Sequence, residues 1–190
     1  MGTTTKTQTY EVRELLNLGC GRLMFKSADN VDEGEIKNPP YPYIQENAMD
    51  YLARMYPKVR YKKIIAFFFL EHLKPVDLSF IPYLINQALT MGGEFMAVVP
   101  DFDSICKLYL EGKLSLRMAE IDVLSQNNMG PHSTLWNKQK VEELFLEDGF
   151  ELIEYRTGVA GRGIGGLIRV QKIAEDGTPP ELYRSVEELP

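Results

Sequence analysis

Two glycines and an aspartate stand where a ligand's contacts would be made. Leu15-Leu16-Asn17-Leu18 is an apolar run that passes straight into Gly19-Cys20-Gly21. Glycines in such a turn let the backbone approach a ligand at the carboxyl end of a strand, where α/β sheets bind small molecules. A second apolar run ends in Asn30-Val31-Asp32, which offers a carboxylate to a pair of ribose hydroxyls. The glycine turn alone reads equally well as a tight turn with no ligand; Asp32 is what tips the balance.

Spacing then separates the nucleoside-bearing ligands. A dinucleotide fingerprint needs a third glycine, an intervening helix and an acidic residue about 20 positions on. Here Asp32 follows Gly21 by 11 positions, and Leu23 and Met24 occupy the place of the third glycine. No ordinary helix fits before the second strand, so the helix N-terminus that binds a pyrophosphate is missing. NAD is disfavoured. S-adenosylmethionine carries no phosphate and loses nothing.

Acid–base chemistry has few candidates. The chain has two histidines. His72 follows the fourth expected strand, whose end faces the ligand side of such a sheet, and reads also as a residue at the start of a helix bonded to nearby backbone. His132 lies in the loop Gly130-Pro131-His132-Ser133, either as a general base and substrate contact or in a structural loop role. Glu71 falls near a helix start, where the dipole alone favours a carboxylate. Asp101 and Asp103 can cap the following helix, with a substrate role open to Asp101 at the end of the fifth strand. Lys58, Arg60, Lys62 and Lys63 form the basic run, read as a solvated edge. Cys20 and Cys106 show no metal-ligand spacing, and no metal site is expected.

The elements that must position these groups alternate between strand and helix, the pattern of an α/β fold. Strands are expected at 15–18, 28–31, 43–46, 63–69, 94–99, 150–155 and 166–173. Consecutive apolar positions in the fourth and fifth of these predict strands buried on both faces of a parallel sheet. Helices are expected over 48–56, from Asp77 or Ser79 to Thr90 with Gly92-Gly93 as the stop, and over 138–148. Asn137 is the expected N-cap of the last, with Trp136 and Val141 at hydrophobic-staple positions. The stretch 158–166 holds five glycines and predicts a mobile loop between the last two strands. One domain is expected over 11–174, between a flexible segment 1–10 and a tail 175–190.

Composition bounds the function. The chain has 190 residues, 44% hydrophobic and 11% aromatic, too rich in core formers for disorder. The longest apolar run is too short to cross a bilayer, and the polar, threonine-rich start does not read as a signal peptide. A reducing cytoplasm is the expected compartment. A net charge of −6 disfavours a broad nucleic-acid surface.

The ordered set Leu16-Asn17-Leu18-Gly19-Cys20-Gly21, Asn30-Val31-Asp32, Leu70-Glu71-His72-Leu73, Gly92-Gly93, Val99-Pro100-Asp101 and Glu147-Asp148-Gly149-Phe150 resembles the small class I S-adenosylmethionine-dependent methyltransferases. The likeness is to a bacterial and phage group lacking a full first helix, and it covers about three quarters of the chain. It implies a Rossmann-like, mostly parallel sheet with an antiparallel last strand, and S-adenosyl-L-methionine as cofactor. By this resemblance Gly19 and Gly21 line the methionine part and Asp32 the ribose, with Asn17, Cys20 and Phe67 also among the cofactor-binding residues. Asn47-Ala48 matches the adenine site, with Asn47 in place of the commoner Asp. Phe67 and Phe68 stand where relatives carry small or polar residues beside the methionine part, and either wall an apolar acceptor pocket or pack the sheet. The acceptor implied is a small molecule, sugar or glycan precursor. The alternatives are a non-catalytic cofactor-binding module and, with less support, a nucleic-acid methyltransferase. The missing helix leaves one sheet face thinly covered, which invites a homodimer.

Overall fold

The structure, a computed structural model, describes residues 10–124, 130–160 and 163–174. Nearly all of the expected leading segment 1–10, the tail 175–190 and the end of the helical region near Gln126 lie outside the described residues. Seven strands are found among the described residues: β1 (Glu11–Leu18), β2 (Asp29–Asp32), β3 (Ile44–Gln45), β4 (Val59–Phe67), β5 (Leu89–Pro100), β6 (Phe150–Ala160) and β7 (Gly163–Lys172). They form one sheet in the order β3-β2-β1-β4-β5-β7-β6. The pairs from β3 to β5 are parallel, and β7 runs antiparallel to both its neighbours.

In β4, Ile64, Ile65 and Ala66 are buried on consecutive positions, as a strand covered on both faces should be. Strand β5 departs from that expectation. Phe95, Ala97 and Val99 are buried while Met96 and Val98 between them are half-buried, so one face is less covered there.

Six helices are described: α1 (Ala48–Met55), α2 (Pro75–Leu78), α3 (Ile81–Ala88), α4 (Phe102–Leu110), α5 (Leu116–Leu124) and α6 (Lys138–Phe145). Asn137 caps α6 by accepting from the Lys140 amide at 3.0 Å, and Trp136 and Val141 are both buried beside it. The Phe145 ring of α6 stacks on Phe95 of β5 at 5.4 Å and meets Phe150 of β6 edge-on at 5.6 Å, which ties the helix to the sheet.

Two expectations are corrected. Gly92-Gly93 does not stop the helix, which ends at Ala88; Leu89 already pairs with Tyr61. The glycines lie in a bulge of β5, where Gly92 takes φ +72° and a Cβ on Gly93 would sit 3.2 Å from the Lys62 carbonyl. Nor are 158–160 and 163–166 a loop. Gly158 pairs with Gly165 and Thr157 with Gly166, so the glycines end two paired strands. At Gly166 the reason is steric, because a Cβ would stand 2.8 Å from the Tyr155 hydroxyl. Gly161 and its neighbour Arg162 lie outside the described residues. Among the described residues no helix is long and apolar enough to cross a membrane.

Candidate active site

The sheet order reverses direction at β1, with β2 on one side and β4 on the other. Open α/β sheets bind ligands at the carboxyl ends of strands beside such a point. Gly19 and Gly21 turn the chain at the end of β1 with φ +59° and +46°, conformations that L side chains rarely adopt. The Cys20 amide donates to the Val31 carbonyl at 3.0 Å and locks the turn against β2.

The segment from Gly21 to Ala28 contains no helix and is held by polar side chains instead. The Asn17 amide donates to the Leu23 carbonyl at 2.7 Å and to Asn30 Oδ1 at 3.0 Å. Asn30 in turn accepts from the Phe25 amide at 3.0 Å and donates to its carbonyl at 2.9 Å. Asn17 is thus 1% exposed and spends its side chain inside the protein, beneath the turn rather than in the cleft above it. Cys20 is also buried. Burial, with the Asp32 charge adding to it, pushes its thiol up to about 12.

Asp32 joins the turn to the end of β2. Its Oδ2 accepts from the Gly21 amide and its Oδ1 from the Gly34 amide, both at 2.8 Å. An ionised carboxylate has about four acceptor positions, so each oxygen keeps one free for a ligand. Asn47 caps α1, accepting from the Met49 amide at 2.9 Å and donating to Glu33 Oε2 at 3.0 Å.

Gly19, Gly21, Asp32, Asn47, Ala48, Phe68, Phe69 and His72 line one cleft of about 680 Å³. That volume lies within the usual 300–1,000 Å³ of small-ligand sites. Asp32, Glu33, Glu35 and Asp77 face it against Lys74, which favours a cationic ligand. Phe67 stays half-buried in β4, whereas Phe68, with φ +53° and 38% exposed, turns into the cleft. The Glu33–Ile36 stretch and Phe69 were not singled out in the sequence. An acidic run directly after Asp32 was the available signal for the first; Phe69 carried none.

Phe69 explains why position 19 is glycine. A Cβ there would stand 2.4 Å from the Phe69 ring. Gly19→Ala therefore combines a left-handed strain of about 1–2 kcal/mol with an overpacking cost of about 1–3 kcal/mol. The variant is expected to melt below the parent, and Gly19→Ala with Phe69→Ala to recover the steric part. Calorimetry on the three proteins checks this.

The remaining candidates separate. Asp101 is buried and does not line this cleft. Its Oδ1 caps α4 by accepting from the Ser104 amide at 2.8 Å, and its Oδ2 accepts from the Tyr155 hydroxyl. Asp103 accepts from the Asn137 side-chain amide instead.

His72 and His132 come together, with ring centroids 5.0 Å apart at an interplanar angle of 70°. Burial, with the neighbouring His72 adding to it, lowers the His132 pKa from its usual 6.5. Glu71 sits in the first turn of a three-residue 3₁₀ helix, Leu70–His72, near a helix start as expected, and is 1% exposed. Burial raises its carboxyl to about 8.

A mostly parallel seven-stranded sheet with one antiparallel strand, bearing this cleft at its carboxyl edge, is the Rossmann-like α/β methyltransferase fold. The chain is similar to a SAM-dependent methyltransferase of Archaeoglobus fulgidus at 15% identity and TM-score 0.56, covering 85% of this chain and 86% of that one. It is similar to another from Methanosarcina mazei at 14% identity and TM-score 0.52, covering 87% and 94%. A third similar structure is the 1,6-didemethyltoxoflavin-N1-methyltransferase of Burkholderia thailandensis, with 1,6-didemethyltoxoflavin and S-adenosylhomocysteine bound, at 12% identity, TM-score 0.56 and coverage of 86% and 72%. No protein-family model matches the sequence, and neither does any protein of curated function. At these identities the similarity establishes the fold; the reading of the site rests on its own geometry.

Proposed function

We propose that this chain is an S-adenosylmethionine-dependent methyltransferase acting on a small molecule. The observation that carries the reading is the coupling of the glycine turn to Asp32 through the 2.8 Å bond from the Gly21 amide, at the mouth of an acidic cleft. Asp32 accepts from the ribose hydroxyls with the lone pairs its two amide donors leave free. The open backbone at Gly19 and Gly21 admits the methionine part, and Asn47-Ala48 flanks the adenine. Asn17 and Cys20 support the turn from behind, and Phe67 supports Phe68.

The cofactor supplies a methyl group already activated by the sulfonium, so the protein's task is alignment of the acceptor. Phe68 and Phe69 wall the acceptor side with apolar surface, and His72 with His132 forms its polar end. An acceptor with a planar or apolar body and one polar nucleophile suits that wall; a sugar or glycan precursor remains within the proposal. The less covered face of β5 offers a place for a second copy, and the cytoplasm is the proposed compartment.

S-adenosylhomocysteine at about 100 times its Kd is expected to stabilise the native state by about 2.7 kcal/mol, visible as a rise in Tm of several degrees, while NAD produces none. Thermal melts with each ligand check this. A rise with NAD and none with S-adenosylhomocysteine would overturn the reading.

A further inference from the structure

We propose that Glu71, His72 and His132 form a binding site for one divalent first-row transition-metal cation, of which Zn²⁺ is the type. One ligand atom from each of the three lies within 4.8 Å of the others. Ligands of one tetrahedral ion stand about 3.4 Å apart when its bonds are about 2.1 Å, so small side-chain rotations close the set.

The carboxylate points to a ligand independently of this grouping. Glu71 is 1% exposed, and neither of its oxygens has a hydrogen-bond partner. A buried ionised carboxylate without a partner is so costly that it must take up a proton or a cation. The groups that approach it here are imidazoles, which ligate metals well.

The surroundings hold the ligands as metal sites hold theirs. The Pro131 carbonyl lies 3.2 Å from Nδ1 of His72. A carbonyl only accepts, so Nδ1 carries the proton and Nε2 keeps the lone pair that a cation needs. Metal-ligating histidines are regularly oriented through their second nitrogen in this way. The two parts of the site are also fastened together. The Ser133 and Thr134 amides donate to the Glu71 carbonyl at 2.8 and 3.2 Å, and the Thr134 hydroxyl donates to the Leu70 carbonyl at 3.4 Å. The loop that carries His132 is therefore docked on the turn that carries Glu71 and His72.

The donor set selects the ion. Two imidazole nitrogens and one carboxylate oxygen suit Zn²⁺, Mn²⁺ or Fe²⁺, whereas Mg²⁺ and Ca²⁺ prefer oxygen ligands throughout. Three protein ligands leave at least one coordination position open, the arrangement of reactive rather than purely structural ions. Because His72 also lines the cleft, that position is accessible to a small ligand held there.

The test uses the full chain without tag histidines, stripped with EDTA and titrated with Co²⁺ and Zn²⁺. The parent is expected to take up one ion per chain, with visible Co²⁺ absorption of low-symmetry coordination. His132→Ala and Glu71→Gln are each expected to weaken uptake by at least about 100-fold, beyond what loss of an orienting partner costs. Far-ultraviolet circular dichroism shows whether each variant is folded, and Glu71→Gln, which removes a buried charge, keeps the test open should His132→Ala be poorly folded. Failure of the stripped parent to take up Co²⁺ or Zn²⁺ would overturn the site, as would equal uptake by the folded variants. Stabilisation of metal-free protein by S-adenosylhomocysteine reports the cofactor cleft separately, so the two readings fail independently.

Discussion

Replacing Asp32 by alanine is expected to weaken S-adenosylhomocysteine binding by roughly 10²–10⁴-fold, the loss of two hydrogen bonds to a charged acceptor at about 1.5–3 kcal/mol each. The expectation follows from where the carboxylate stands. It lines the cleft and also receives the Gly21 and Gly34 amides at 2.8 Å, so the variant loses both the proposed ribose contact and the bond that ties the glycine turn to β2. Asp32→Asn should recover part of the affinity, because one carboxamide oxygen can still accept while the amide group cannot. Titration calorimetry on the three proteins decides the matter. Parental affinity in Asp32→Ala would remove Asp32 from the ribose site and leave it a purely structural residue.

His132→Ala is expected to lower turnover by about 10²–10⁴-fold, the usual contribution of an acid–base group in reach of the reacting proton. Cofactor affinity should hardly change. Asp32 is held by the Gly21 and Gly34 amides, and removal of His132 leaves those hydrogen bonds intact. His72→Ala should show a loss of the same order, since the two rings adjoin. Removal of metal then tells the two roles of the pair apart. If the imidazoles act through a bound ion, EDTA-stripped parent loses turnover as the variants do and regains it with Zn²⁺ or Mn²⁺. If His132 takes the acceptor proton by itself, the stripped parent keeps its rate. A substrate screen with labelled cofactor supplies the assay, and a His132→Ala protein with parental turnover would leave alignment alone as the catalytic contribution.

The residues that the sequence marked for the site divide by what kind of signal marked them. Gly19, Gly21, Asp32, Asn47 and Ala48 were legible because their placement follows from strand ends, and strand ends follow from local apolar runs. They line one cleft. Asn17 and Phe67 sat in the same runs, yet Asn17 is buried beneath the turn and Phe67, half-buried in β4, does not line the cleft, a matter of strand parity and neighbours that a motif does not record. Asp101 was marked by its strand end too, but it does not line that cleft; it is buried, caps α4 and accepts from the Tyr155 hydroxyl.

By itself the sequence determined the elements: seven strands near their expected places, the cap at Asn137, and the absence of a helix between Gly21 and Asp29. These depend on periodicity, turn chemistry and the number of residues between two strands, all of which act over short stretches of chain. The tertiary structure alone decided three further things. It paired the glycine-rich segments of β6 and β7, since glycine marks a possible turn and only the Tyr155 hydroxyl over Gly166 shows why one is needed within a strand. It set Phe69 against Gly19, a contact between loops that follow different strands. And it brought His132 onto Glu71 and His72. Buried charge and ligand geometry depend on which loops meet at one edge of the sheet, and spacing along the chain carries no record of that meeting.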